Sequence, residues 1–100
     1  PAEINDSQII EAFSREINVL NIKDQSIIPG DEQPSTYFIS KDYNLKAKGT
    51  YLQFLIFFER LENADRIYNI KSLKLGTGDQ SQRGRFQIIT AEAVIQAYRF

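Results

Sequence analysis

The last strand-like stretch most constrains the fold. From about residue 85 to residue 99, Ile89, Ala91, Ala93, Ile95 and Ala97 alternate with Phe86, Ile88, Thr90, Glu92, Val94, Gln96 and Tyr98. A two-residue period over that length describes a β-strand with two unlike faces. The alanine-rich face lets helices sit close, so a central strand under a helical layer is expected.

The rest of the chain supplies those helices and further strands. Ile9, Ile10, Phe13, Ile17 and Leu20 recur at helical spacing, which predicts a helix over about 6–19. Asn5 or Asp6 can cap it, and with Asn5 as cap Ile4 and Ile9 can form a hydrophobic staple. A short strand is expected over 21–28; its polar middle, Lys23 to Ser26, suits an edge. Two prolines and a glycine in 29–34 predict a turn.

A second strand over about 36–48 places Tyr37, Ile39, Tyr43, Leu45 and Ala47 on one face, with Ser40, Asp42, Asn44, Lys46 and Lys48 on the other. Gly49 ends it, and Thr50 with Gln53 fits a capping box opening a second helix that runs to about Asn63. Its expected core stripe is Tyr51, Phe54, Leu55, Phe58 and Leu61. Leu52, Ile56 and Phe57 widen the apolar surface, so this helix is either deeply packed or covered by a partner. A third strand is expected over 66–75, with Lys71 and Lys74 again marking an edge, and residues 76–84 read as a hairpin loop.

The order is thus helix–strand–strand, twice, in halves of about fifty residues. Two such units most simply make an α+β fold: a ferredoxin-like two-layer sandwich in permuted αββαββ order, with a four-stranded sheet and both helices on one face. The long second and fourth strands are expected in the centre and the first and third at the edges. At 100 residues the chain makes a single domain, 1–100.

Composition narrows the chemistry. There is no cysteine, which excludes disulfides and thiolate sites, and no histidine, the usual general base and commonest metal ligand. Twelve basic against thirteen acidic residues argue against nucleic-acid binding. The glycine-bearing loop with Arg83 and Arg85 precedes a strand, whereas a phosphate cradle needs a helix N-terminus. Asp31, Glu32, Glu59 and Glu62 read as solvated charge. Glu92 is expected on the open sheet face, where Lys46 or Lys48 on a parallel neighbour can pair with it. The expectation is therefore not an enzyme, with no catalytic residue, metal site or cofactor.

What remains is surplus apolar surface. Leu52, Ile56 and Phe57 on the second helix, with Ile88, Val94 and Tyr98 on the open sheet face, exceed what one small core needs. These six are the candidate interface residues, with burial in the core as the competing reading. Edge strands offer a second route, by adding a partner strand. The competing functional class is a ferredoxin-like regulatory domain that binds a small ligand.

Gly49-Thr50-Tyr51-Leu52-Gln53-Phe54-Leu55 leads into Phe58, Leu61, Arg66, Ile67 and Leu73-Lys74-Leu75, and the chain closes with Ala97-Tyr98-Arg99-Phe100. In these features, strongest from Gly49 onward, it resembles the C-terminal periplasmic domain of the PilO family of type IV pilus inner-membrane proteins. GspM of type II secretion is a close competitor. The resemblance implies a non-enzymatic assembly component: a bacterial inner-membrane protein whose membrane anchor and coiled coil precede residue 1. It implies pairing with a PilN-like protein or as a homodimer, contact with a PilP-like lipoprotein, and a link through PilN to PilM. The lack of a Met and of a targeting segment fits an excised or processed fragment.

Overall fold

A computed structural model of the chain describes residues 5–64, 66–77 and 87–99. The elements are α1 (Asp6–Val19), β1 (Lys23–Pro34), β2 (Ile39–Gly49), α2 (Tyr51–Glu62), β3 (Tyr68–Thr77) and β4 (Ile89–Arg99). The strands form one antiparallel sheet in the order β1-β2-β4-β3. Both helices pack on one face of it. This is the α+β sandwich in αββαββ order, with β2 and β4 central and β1 and β3 at the edges.

One core joins the layers. Ile9, Phe13 and Ile17 of α1 and Phe54, Phe57 and Leu61 of α2 are buried. They meet Tyr43, Leu45 and Ala47 of β2 and Ala91, Ala93, Ile95 and Ala97 of β4. Phe13 is the hub: its ring lies edge-on to Tyr43 at 5.9 Å and to Phe57 at 6.4 Å, and tilted against Tyr68 at 5.3 Å. The alanines of β4 admit these rings.

Several expectations are corrected. The turn expected over 29–34 is strand: β1 continues to Pro34, with Pro29 opposite Tyr43 and Pro34 opposite Ile39. An edge strand tolerates proline where no ladder N–H is required. Two register shifts, between Lys23 and Ser26 and between Pro29 and Glu32, take up the misfit. The turn lies instead where the second strand was expected to begin, closed by the Ser35 N–H donating to the Phe38 carbonyl at 2.8 Å. Tyr37, expected on the buried face, is exposed in it. β3 begins two residues later than expected and runs through Gly76 to Thr77, and β4 starts at Ile89. The neighbour of Glu92 is antiparallel, not parallel: Lys46 is its register partner, with Nζ 3.6 Å from the carboxylate. Ile4, Phe86, Arg83 and Arg85 lie outside the described residues.

Candidate assembly surface

The start of α2 sets which of its side chains face out. The Thr50 N–H donates to Gln53 Oε1 at 2.7 Å, and the Gln53 N–H donates to Thr50 Oγ1 at 3.3 Å, completing the capping box. Gln53 Nε2 then donates to the Leu20 carbonyl at 2.8 Å, tying the start of α2 to the end of α1. A Cβ at Gly49 would come within 2.7 Å of Gln53 Oε1, so a side chain there would displace the oxygen that closes the capping box.

With α2 held in this rotation, Phe54, Phe57 and Leu61 turn inward. Phe57, expected at a contact surface, is 0% exposed and belongs to the core, against Phe13 and Phe58. Tyr51 and Leu55, expected in the core, face solvent. Leu52 and Ile56 are 59% and 37% exposed and share the outer surface with them. Their spacing places all four within two helical turns.

The other three candidates lie on or beside the opposite, open face of the sheet. Ile88, just before β4, and Val94 and Tyr98 within it are half-buried. The Tyr98 ring meets Phe38 edge-on at 5.4 Å, and its hydroxyl donates to Gln96 Oε1 at 2.6 Å. Gln96 Nε2 donates to Ser40 Oγ at 3.2 Å, and Asn69 Nδ2 donates to Gln96 Oε1 at 3.4 Å. Lys71 spans β4 to reach Asp42 Oδ2 at 2.9 Å. This face is a cross-strand polar network with a shallow depression of about 280 Å³ beside Ile28, Asn44 and Val94. The structure therefore places the six candidates apart: two on the outside of α2, one in the core, three with the open face.

The sequence reading passed over a second apolar region. Leu73 and Leu75 pair in register with the buried Ala93 and Ala91 and so share the helix side, yet each is 44% exposed. The signal was present in the Leu-Lys-Leu alternation, but its exposure follows from β3 having, among the described residues, a strand neighbour on one side.

Charged groups away from these surfaces are largely engaged. Asp6, in the first turn of α1, accepts from Tyr43 Oη at 2.7 Å and Lys41 Nζ at 2.9 Å. The Tyr43 and Lys41 bonds hold its carboxyl below the usual range, while burial and the Asp6 charge push the Tyr43 phenol up. Arg15, Arg60 and Arg66 line a cleft of about 400 Å³. Arg15 pairs with Glu11, Arg60 donates through two nitrogens to Glu16, and Arg66 donates to the Tyr98 carbonyl. Among the described residues no cluster of three metal-ligating side chains occurs, and no helix is long and apolar enough to cross a membrane.

Solved structures share the fold. PilO, the type 4 fimbrial biogenesis protein of Pseudomonas aeruginosa, matches with a TM-score of 0.79 at 12% identity, covering 99% of this chain and 71% of that one. The core domain of a protein from Akkermansia muciniphila matches at 0.78 and 7% identity, covering 95% and 59%. An Akkermansia muciniphila structure without its transmembrane region matches at 0.75 and 6% identity, covering 93% and 58%. No curated protein sequence matches. Residues 7–100 match the family model described as the type IVa pilus alignment subcomplex PilO C-terminal domain. Nearly the whole chain lies within that match, and it belongs to the PilO C-terminal domain family, a component of type IV pilus assembly.

Proposed function

We propose that this domain is a non-enzymatic structural element on the periplasmic side of the bacterial inner membrane. In this reading it pairs through the outer face of α2 with a second copy or with a PilN-like domain. It also contacts a PilP-like lipoprotein, linking the inner-membrane platform of the pilus machine to periplasmic partners. One observation carries the reading: α2 fills its share of the core with three residues and still exposes Tyr51, Leu52, Leu55 and Ile56. Contiguous apolar surface of this kind usually marks a contact.

Gel filtration with light scattering tests it, on the parent chain and on a Leu52→Glu, Ile56→Glu variant. A dimeric parent and a folded monomeric variant are the expected result. A parent that stays monomeric at high concentration, and fails to co-elute with a PilN-like domain, removes the α2 face as the pairing surface.

A further inference from the structure

The sheet has two edges, and they are built differently. β1 carries Pro29 and Pro34, two register shifts, and a positive φ of 54° at Asp24. Prolines, bulges and twist on an edge discourage strand addition; the β3 lysines, Lys71 and Lys74, discourage it too, except toward a segment of opposite charge. β3 contains no proline and has one shift, between Ile70 and Ser72, after which Ser72 to Thr77 stay in unbroken register with β4. Its two faces also differ. Leu73 and Leu75 lie half-exposed on the helix side, while Ser72, Lys74 and Gly76 lie on the open side.

We propose that the outer edge of β3 accepts an extended acidic–apolar segment of a partner protein as a fifth strand. The proposal rests on the assembly role above and concerns a different surface from the α2 face. Main-chain groups of this edge, which pairs with no further strand among the described residues, supply the hydrogen bonds, and alternate side chains supply selectivity. Apolar residues of the segment cover Leu73 and Leu75. Acidic residues face Lys74, which makes no ion pair among the described residues because Glu92, its register partner, is matched by Lys46. Charge also argues against a second copy in this position. In the two-fold antiparallel registers that set Lys74 opposite itself, Ser72 or Gly76, the two Lys74 side chains lie opposite or diagonal on one face, where like charges repel.

The test uses a capped heptapeptide of alternating valine and glutamate, and its valine–lysine counterpart, titrated into the ¹⁵N-labelled chain. The glutamate peptide is expected to shift amides of Tyr68–Thr77 and to bind about tenfold tighter than the lysine peptide. Lys74→Glu should reverse that preference, and the Leu52→Glu, Ile56→Glu variant should bind as the parent does. Equal response to both peptides, shifts centred on β1, or no shift at millimolar peptide each overturn the proposal. So does concentration-dependent movement of the β3 amides without peptide, which would make the occupant a second copy. Because the α2 variant is scored separately, loss of pairing there and loss of strand capture here are distinguishable.

Discussion

The two αββ halves do equal work inside and unequal work outside. Each helix is capped by a side chain that accepts the N–H three residues on, Asn5 from Gln8 and Thr50 from Gln53. Each buries three apolar residues in the shared core. The outer side of α1 is polar, with Ser7, Gln8, Glu11, Arg15 and Asn18 exposed and Glu11 paired to Arg15. The outer side of α2 presents four large apolar residues. The strands follow suit: β1 is an edge broken by prolines, β3 an edge lined by leucine and lysine. Three fully buried residues from each helix, with Ile10 of α1 and Phe58 of α2 packed beside them, fill the core, so the apolar residues on the outer side of α2 are surplus to it.

The sharpest test of this contrast is inside α2. Phe57→Ala should destabilise the fold by about 3–5 kcal/mol, as Phe13→Ala should in the first half, because both rings fill one core. Chemical denaturation reads this, and a cost near zero at Phe57 would mean that the inward and outward faces of α2 have been exchanged.

A smaller effect distinguishes how the halves are fastened. Asp6→Asn should remove about 1–2 kcal/mol at neutral pH, the modest end for charged hydrogen bonds, because the carboxylate is partly exposed. In the fold the Asp6 carboxyl sits below its ordinary value of about 3.9. Its contribution is therefore present above that value and drains away as pH falls through the lower folded one. Urea midpoints of parent and variant should converge on acidification.

The caps should be closer to parity. Asn5→Ala and Thr50→Ala should each lose about 1 kcal/mol by thermal melting. A larger loss at Thr50 would sharpen the comparison, since Gln53 also holds the Leu20 carbonyl. The least effect on folding is expected from Leu52→Glu, within about 0.5 kcal/mol, because that side chain is already 59% exposed. A large loss there would break the claim that the outer face of α2 is surplus to the core.

How much of this was legible depended on contrast between faces. The period of β4 and its alanine face were plain, and Ala91, Ala93, Ile95 and Ala97 are buried as that pattern implies. The alternating polar and apolar positions of α1 pointed it correctly. On α2, apolar residues surround most of the helix, so periodicity has nothing polar to point away from: it leaves Phe57 open between contact surface and core and points Leu55 inward, where the structure buries the first and exposes the second. The prolines of β1 read as a turn because a local rule has no knowledge of which strand will be an edge.

The sequence by itself determined the order of elements, the cap of α2, the faces of β2 and β4 and the family, and narrowed the cap of α1 to Asn5 or Asp6. These rest on local chemistry and on the two fixed repeats of strand and helix. Tertiary structure alone decided the rotation of α2, the antiparallel partner of Glu92, the length of β1 and the exposure of Leu73 and Leu75. Each depends on which residues distant in the chain become neighbours. Gln53 reaches Leu20, Phe57 meets Phe13, and β3 has, among the described residues, a strand on one side of it.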